Sequence, residues 1–271
     1  KRDGLALKMV DISEPRFRTL ENPQEVVNAV EAGITPRTRF LAICHINYTD
    51  GFVMPVKEIC DLARAKGIIT LIDGAQPPGM MKLDLHELGC DMYAAAGHKY
   101  MLAAQHTGFL YVREDAADRV QPLVYTGSPD SDMSGAGKLE QRGSSSYSDR
   151  IAMGAALDFH NHLTREAVEA RLRYLTQRLI KGLKAVDKVT VYASDNPRNS
   201  CALVSFSIRD KKPSDIVGSM WYGPNWNGPN TYLRTVSASG DFSAVRASLH
   251  VMVTAKQVDA LIDMVGFMAK G

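Results

Sequence analysis

The sequence predicts an α/β protein with a mostly parallel sheet, followed by a smaller C-terminal α/β domain. Three observations support this fold class. Short apolar runs alternate with amphipathic helical patterns up to about residue 125, which is the βαβ order of a parallel sheet with helices on both faces. A long helical stretch then runs from about residue 150 to 186. Beyond it, alternating strand patterns and a last amphipathic helix form a second group of elements.

The helices of the first group are bounded by residues typical of helix ends. Asn22, Pro23 and Glu25 stand where a helix has its N-cap, N1 and N3 residues. Pro55 begins a second helix and Gly67 closes it. The apolar runs between and around these helices predict strands at 5–10, 39–44, 68–72, 91–95 and 108–112.

Glycine, serine and aspartate dominate residues 127–147, which show no periodicity. This composition predicts a loop long enough to have a function of its own. The helical stretch after it is predicted to break near 162–164. We expect three regions: a large domain at 1–150, a linking helix at 151–186 and a small domain at 187–271.

The C-terminal region combines strand patterns, a loop and one capped helix. Strands are predicted at 201–208 and 245–250, and residues 222–230 are predicted to form a loop. Thr254 and Gln257 have the spacing of a capping box, in which each side chain satisfies a backbone N–H of the other. The last helix is therefore predicted to begin just after Thr254.

Composition and charge exclude several classes of protein. The 271 residues are 45% hydrophobic and 23% charged, which suits a globular chain with a sizeable core. No stretch approaches the ~18 consecutive apolar residues of a membrane span. The net charge of +2 provides no basic surface for nucleic acid. We therefore expect neither a membrane nor a nucleic acid as partner.

The four cysteines form no pattern of metal ligands or disulfides. No two of them have CxxC spacing, and no histidine cluster accompanies them. Reduced, buried thiols in a cytoplasmic protein are expected instead, and no metal site is predicted. The four residues are Cys44, Cys60, Cys90 and Cys201.

Two strand ends carry residues that together suit one cofactor. Asp73 follows the apolar run 68–72, and Lys99 stands in the motif Gly97-His98-Lys99 after the next predicted strand. Alone, an Asp-Gly pair usually marks a turn and a loop lysine is usually solvated. Pyridoxal phosphate (PLP) needs both: a lysine to form an imine with its aldehyde, and a carboxylate to keep its pyridine nitrogen protonated. Parallel strands would bring them to one edge of the sheet.

These motifs resemble the class V aminotransferases of PLP-dependent fold type I, which include isopenicillin-N-epimerase-like enzymes, cysteine desulfurases and kynureninases. The resemblance implies the cofactor pyridoxal 5'-phosphate, a large-domain sheet of the seven-stranded type and a homodimer with shared active sites. It rests on the order and spacing of five stretches, which are 44–51, 55–59, 71–76, 97–99 and 107–112.

The resemblance implies a role for each residue of the two central motifs. Lys99 corresponds to the Schiff-base lysine, and Asp73 to the partner of the pyridine nitrogen. Gln76 corresponds to the residue that hydrogen-bonds the phenolic oxygen of the cofactor. His98 corresponds to the residue beside the phosphate. Ordinary polar loop residues are the alternative interpretation for Gln76 and His98.

Other positions match the family more weakly. Asn47 and Tyr48 stand where the family contacts cofactor or substrate, in a string closer to the kynureninase form than to the desulfurase form. Ser144 is implied to offer its hydroxyl to the phosphate of the neighbouring subunit, with a flexible serine-rich loop as the alternative. Arg246 is implied to bind the substrate carboxylate, which its guanidinium fork matches, with a strand arginine of no special role as the alternative.

The sequence departs from the family pattern in three places. Ala96 stands where relatives commonly have a phosphate-binding Ser or Thr. Residues 235–242 contain no cysteine, which disfavours a desulfurase that forms a persulfide. The N-terminal segment with the phosphate-binding turn and the stacking ring is absent, so the cofactor-binding domain is expected to lack roughly a hundred residues. An upstream twin-arginine export signal stays an alternative to a cytoplasmic location.

The sequence thus predicts a PLP-dependent enzyme that acts on an amino acid through an external aldimine, by aminotransferase or epimerase-like chemistry. A Cβ-lyase or kynureninase-like hydrolase is the alternative within the family. A non-catalytic protein with the PLP fold is the alternative from another class, although the joint presence of Asp73, Gln76, Lys99 and Arg246 argues against it. A nucleotide-binding protein is disfavoured, because the chain contains no GxGxxG or P-loop motif.

Overall fold

The computed structural model describes residues 4–12, 22–123, 135–140, 146–222, 232–237 and 242–271. The chain divides into two compact units. The parallel-sheet unit comprises Ile34–His45 and Pro55–Arg165, and the antiparallel-sheet unit comprises Lys1–Gly33, Ile46–Met54 and Glu166–Gly271. The domain division at residues 150 and 186 stays a prediction.

Eight strands and seven α-helices lie in the described residues. The strands are β1 Phe40–Cys44, β2 Ile69–Asp73, β3 Met92–Ala96, β4 Gly108–Val112, β5 Val189–Tyr192, β6 Leu203–Ile208, β7 Tyr232–Ser237 and β8 Ser243–Ser248. The helices are α1 Gln24–Gly33, α2 Val56–Ala65, α3 Leu85–Leu88, α4 Tyr147–Leu163, α5 Arg165–Lys184, α6 Pro213–Tyr222 and α7 Ala255–Lys270. Two 3₁₀-helices lie at Glu114–Arg119 and Gly135–Glu140.

The parallel-sheet unit contains a four-stranded sheet in the order β1-β2-β3-β4. The first three strands are parallel, and β4 pairs antiparallel with β3. The predicted α/β class with a mostly parallel sheet is confirmed. Helix α2 makes the crossover from β1 to β2, and its buried face consists of Val56, Ile59, Cys60 and Ala63. This spacing of three to four residues is the amphipathic period that its sequence predicts.

A buried network of polar side chains connects the strands of this sheet at the end where β2 and β3 begin. The N–H and the hydroxyl of Thr70 both donate to Asp91 Oδ2, at 2.8 and 2.9 Å. Arg113, which follows β4, donates from Nη2 to Asp91 Oδ1 at 2.7 Å. Asp91 is buried, and a buried carboxylate needs such partners to offset its lost hydration. One side chain thus connects three strands at the edge opposite Asp73.

The antiparallel-sheet unit contains a second sheet in the order β5-β6-β8-β7, with every pairing antiparallel. One face of this sheet packs with α5 and α7 into an apolar core. Phe206 and Val245 come from the sheet, while Leu179 and Leu261 come from the two helices. Because side chains alternate along a strand, Arg246 points away from this core. The predicted capping box of Thr254 and Gln257 is confirmed at the start of α7.

Several boundaries agree with the predictions. The Asn22 side chain accepts a hydrogen bond from the Gln24 N–H at 3.0 Å, as a helix cap does. The long helical stretch breaks at Thr164, whose φ of +64° separates α4 from α5. The predicted loop 127–147 is described only at 135–140, which forms a 3₁₀-helix, and at its last two residues. Most of the predicted loop 222–230 lies outside the described residues.

One predicted strand was wrong. Apolar and other residues alternate at 5–10 as they would in a strand, yet this segment pairs with no strand in the described part of the chain. Leu5, Leu7 and Met9 are exposed. An alternating pattern forms a strand only where a neighbouring backbone supplies hydrogen bonds. Among the described residues, no helix has the length and apolar character needed to cross a membrane.

Candidate active site

Asp73 is the last residue of β2 and lies at the carboxyl edge of the parallel sheet. Its backbone carbonyl accepts a hydrogen bond from the His45 N–H at 2.9 Å. Its Oδ1 accepts another from the Ala75 N–H, also at 2.9 Å, which is the pattern of an Asx turn. The carboxylate is therefore held in one orientation by its own backbone while the residue stays exposed.

The turn after Asp73 continues the pairing of the two central strands. The Gly74 N–H donates to the Ala94 carbonyl at 2.7 Å, one residue beyond the last pair of the ladder. Gln76 follows two residues later and is buried, with 9% of its surface exposed. Within this turn Asp73 is therefore exposed and Gln76 is buried, and their roles at a cofactor stay predictions.

Lys99 lies in the loop between β3 and β4, three residues after β3 ends. The loop is closed by its own backbone: the Gly97 N–H donates to the Thr107 carbonyl and the Ala103 N–H to the Gly97 carbonyl, both at 2.9 Å. The Leu102 N–H donates to the carbonyl of Lys99 at 3.0 Å. Lys99 is half-buried in this loop. Because β2 and β3 are parallel, Asp73 and Lys99 follow the same edge of the sheet.

The Lys99 loop is also held from outside. The Tyr100 carbonyl accepts a hydrogen bond from His160 Nε2 of α4 at 3.1 Å, and His160 is buried. Gly79 approaches the same carbonyl so closely that a Cβ on it would lie 2.1 Å from the oxygen. Gly79 has a φ of +83°, which glycine adopts without strain. Neither His160 nor Gly79 was among the predicted site residues.

His45 and Tyr93 form a buried pair below the Asp73 turn. His45 Nδ1 lies 3.0 Å from Tyr93 Oη, and the two rings meet edge to face with centroids 5.9 Å apart. Burial lowers the pKa of His45 to about 4, because the charged imidazolium would lose its hydration. The same loss of hydration raises the pKa of Tyr93. Both side chains are therefore neutral near pH 7.

Lowering the pH from 6.5 to 4 is expected to reduce the free energy of unfolding by about 3 kcal/mol through His45. In this window the unfolded chain binds a proton at His45 that the folded chain, with a His45 pKa of about 4, does not bind. The contribution is complete above pH 6.5 and is lost as the pH falls towards 4. Urea unfolding at several pH values would show it. In the variant His45→Asn, the free energy of unfolding should fall by about 3 kcal/mol less over this pH range. If it fell equally in the variant and the wild-type protein, the prediction would be contradicted.

Asn47 and Tyr48 belong to a turn of the antiparallel-sheet unit. Asn47 Nδ2 donates to Asp50 Oδ2 at 2.8 Å, and Asn47 Oδ1 accepts from the Thr49 hydroxyl at 3.0 Å. Both ends of the Asn47 amide thus bond inside its own turn. Tyr48 is 48% exposed, and its hydroxyl donates to the Ser237 carbonyl at 3.4 Å.

Arg246 lies on β8 in the same unit as Tyr48. It is buried, and its Nη1 donates to the Tyr48 carbonyl at 2.8 Å. Its neighbour across the ladder is Ser205 of β6, whose hydroxyl donates to the Thr49 carbonyl. A buried guanidinium at a polar sheet face can bind a carboxylate in a water-poor environment, where such a pair is strong.

The predicted site residues therefore fall into two groups. Asp73, Gln76, His98 and Lys99 belong to the parallel-sheet unit and follow the carboxyl ends of β2 and β3. Asn47, Tyr48 and Arg246 belong to the antiparallel-sheet unit, where Arg246 and Tyr48 are in contact. Ser144 lies outside the described residues. The functional roles of all these residues stay predictions.

None of the four cysteines, all of which lie in the described residues, forms a disulfide. Cys201 is buried in the antiparallel-sheet unit, and burial raises the pKa of its thiol to about 12. Burial likewise raises the pKa of Cys60 to about 12 and that of Cys90 to about 11. These three thiols are protonated near pH 7 and are therefore poor nucleophiles. The part of the chain that the structure describes holds no group of three or more His, Cys, Asp or Glu residues suited to a metal ion.

A mostly parallel α/β sheet with a lysine and a fixed carboxylate at its carboxyl edge is the arrangement that the sequence predicted for a PLP-dependent protein of fold type I. The family described as Aminotransferase class-V matches residues 7–261, and the chain belongs to this family.

The curated relatives have two kinds of names. The isopenicillin N epimerase of Streptomyces clavuligerus is 31% identical over 77% of this chain and 55% of its own length. The isopenicillin N epimerase of Amycolatopsis lactamdurans is 34% identical over 70% of this chain and 51% of its own length. A probable cysteine desulfurase of Halalkalibacterium halodurans is 32% identical over 70% and 48%. The chain spans about half the length of the curated relatives it matches.

Solved structures agree on the fold. The apo cysteine desulfurase of Thermococcus onnurineus NA1 superposes with a TM-score of 0.77 at 21% identity, covering 93% of this chain and 64% of that chain. A lysine-to-alanine mutant of C-DES, with glycine covalently linked to its PLP cofactor, superposes with a TM-score of 0.75 at 25% identity, covering 89% and 63%. Family and neighbour together indicate pyridoxal phosphate as the cofactor.

The described residues fit this cofactor chemically. Asp73 offers a carboxylate fixed by an Asx turn for a protonated ring nitrogen. Gln76 offers an amide for the phenolic oxygen, and Lys99 offers a primary amine for the aldehyde. These are the chemical groups that the cofactor requires of its protein. All three residues lie at or after the carboxyl ends of β2 and β3.

Proposed function

We propose that the protein is a PLP-dependent enzyme that acts at the α-carbon of an amino acid, by epimerase-like or aminotransferase chemistry. The observation that carries this proposal is the placement of Asp73 and Lys99 after adjacent parallel strands, at one carboxyl edge. The identity to two isopenicillin N epimerases, above 30% in both, supports chemistry at the α-carbon. A homodimer with shared active sites is part of the proposal.

When bound, PLP supplies an electron sink that stabilises negative charge at the substrate α-carbon. The Asp73 carboxylate holds the proton on the ring nitrogen, and its Asx turn keeps it oriented for this task. Lys99 would hold the cofactor through its side-chain amine, and the same Nζ would be the base that accepts the α-proton of the substrate. Arg246 binds the substrate carboxylate, and its burial strengthens that interaction.

The thiols support this chemistry over persulfide formation. A desulfurase of that type attacks sulfur with a cysteine thiolate, which needs a low pKa and an accessible position. Cys60, Cys90 and Cys201 are buried, with pKa values raised to between about 11 and about 12. Cys44 is the last residue of β1, fixed in the ladder opposite Asp73.

A Cβ-lyase is the second candidate. The probable cysteine desulfurase of Halalkalibacterium halodurans is as similar to this chain as the epimerases are, with 32% identity. Elimination from the β-carbon begins with the same removal of the α-proton by Lys99, so the residues described above serve both reactions. The fate of the substrate after proton removal distinguishes them.

The proposal is tested on the full-length protein incubated with PLP. A visible absorption band is expected, and borohydride should bleach it and fix the cofactor on the tryptic peptide that contains Lys99. Amino acids are then supplied in heavy water. Deuterium at the α-carbon with inverted configuration indicates an epimerase. An α-keto acid that retains the β-substituent indicates an aminotransferase, whereas release of the β-substituent indicates the lyase. A colourless protein, or a label on another lysine, would overturn the proposal.

A further inference from the structure

The buried pair of His45 and Tyr93 lies directly against the turn that carries Asp73. Tyr93 is fully buried, and His45 is 4% exposed. The Tyr93 ring lies so close to Gly74 that a Cβ on this glycine would be 1.8 Å from Cε1 and 2.6 Å from Oη. The phenol therefore supports the residue that immediately follows Asp73.

The histidine approaches the same turn from the other neighbouring strand. His45 follows β1, and its N–H donates to the Asp73 carbonyl at 2.9 Å. Its Nδ1 bonds to Tyr93 Oη at 3.0 Å. The backbone bond and the side-chain bond together join β1, β2 and β3 at the point where Asp73 leaves the sheet. On the far side, Tyr93 stacks on Phe109 of β4 with ring planes 13° apart.

We infer that His45 and Tyr93 are positioning residues that fix the Asp73–Gly74 turn and thereby aim the Asp73 carboxylate at the ring nitrogen of the cofactor. The inference rests on the proposed function. Neither residue is a predicted site residue, and neither is argued to touch the cofactor.

The chemistry of the pair argues for a role beyond core packing. Burying an imidazole and a phenol costs free energy that their mutual hydrogen bond helps to offset, and two apolar side chains of similar shape would fill the space without that cost. Unlike apolar packing, the hydrogen bond between the two rings is directional, so it fixes the angle between them as well as their distance. Such fixing matters most next to a group whose orientation determines its interaction with a ligand.

The test uses the full-length protein loaded with PLP and the variant Tyr93→Phe, which removes only the hydroxyl. Loss of one buried hydrogen bond should accelerate release of the cofactor during dialysis about fivefold. The pH midpoint of the visible absorption change should also move, by about half a pH unit. In the apo protein, hydrogen exchange at the N–H groups of Gly74 and Ala75 should become faster, while exchange in the strands β2 and β3 stays unchanged.

Tyr111→Phe is the matched control. Tyr111 is the cross-strand neighbour of Tyr93 in the same sheet, and its buried hydroxyl has no hydrogen-bond partner in the described structure. Its removal should leave cofactor release, absorption midpoint and exchange at Gly74 unchanged. His45→Ala should reproduce the effects of Tyr93→Phe. His45→Asn, whose side-chain amide can donate to or accept from the phenol in place of Nδ1, should restore most of the wild-type behaviour.

The outcomes separate this inference from the proposed function. If the wild-type protein forms no visible band with PLP, the proposed function fails and the inference fails with it. If the wild-type protein binds PLP at Lys99 but Tyr93→Phe matches it in cofactor release, absorption midpoint and exchange, only the inference is overturned. Equal effects of Tyr93→Phe and Tyr111→Phe would also overturn it, since they would show a general response of the sheet.

Discussion

Replacing Lys99 with alanine is expected to reduce turnover of an amino-acid substrate by at least about 10⁴-fold, the upper end of what one general acid–base group contributes. In the proposed mechanism, the variant loses both the amine that attaches the cofactor and the base that takes the α-proton. Its bound cofactor should also lose the visible band of the wild-type protein and escape borohydride fixation. Steady-state kinetics and absorption spectra of the full-length variant measure both losses.

Two variants serve as controls for Lys99→Ala. Lys99→Arg keeps the positive charge but cannot attach the aldehyde, so its loss of turnover should be of the same order. Lys57→Ala removes an exposed lysine that pairs with Asp61 on the surface of α2, and turnover should not change. If Lys99→Ala retained a tenth of the wild-type turnover, Lys99 would not be the catalytic lysine.

Replacing Gly79 with alanine is expected to lower the free energy of unfolding by about 3 kcal/mol or more. The new Cβ would lie 2.1 Å from the Tyr100 carbonyl oxygen, and the φ of +83° would strain any other residue. The clash is with backbone, so no side-chain rotation relieves it. Because Tyr100 follows Lys99, the variant should also weaken cofactor binding. Denaturant unfolding and dialysis of the loaded protein measure the two effects.

Gly67→Ala separates the two causes of the Gly79 effect. Gly67 also has a positive φ, +66°, but a Cβ there would meet no atom within 4 Å. Its replacement should cost about 1 kcal/mol through backbone strain alone. The difference between the two variants then reports the contact with Tyr100. Equal losses of stability would contradict the close approach of the Gly79 and Lys99 segments.

Local sequence patterns were sufficient for the elements that determine their own structure. Strands β1, β2 and β3 are short apolar runs, and α2 stands between β1 and β2 in the sequence. This order predicted a parallel sheet with Asp73 at its carboxyl edge. Other elements lack such a pattern. Strand β5 has only four residues, and β7 lies in a polar stretch, so both depend on pairing with neighbours that are distant in sequence.

The supporting contacts of the site could not be predicted for the same reason. His45 meets Tyr93 across 48 residues, and His160 meets Tyr100 across 60. Each contact depends on strand register or helix docking, which no local motif encodes. A histidine after a strand and a tyrosine within one are ordinary residues until the register brings their side chains together. The motif around Lys99 could be proposed from the sequence because its residue types and spacing are those that the cofactor requires, and its role stays a prediction.

The network of Thr70, Asp91 and Arg113 has a practical consequence for engineering. It secures three strands at one edge of the sheet, while Asp73 and the Lys99 loop occupy the opposite edge. The hydrogen bonds described for the two edges involve different residues, so the effects on stability of substitutions there should add. A library that randomises the loops for a new substrate can therefore keep Asp91 and its partners fixed, and its variants can be compared by activity without a general loss of folding.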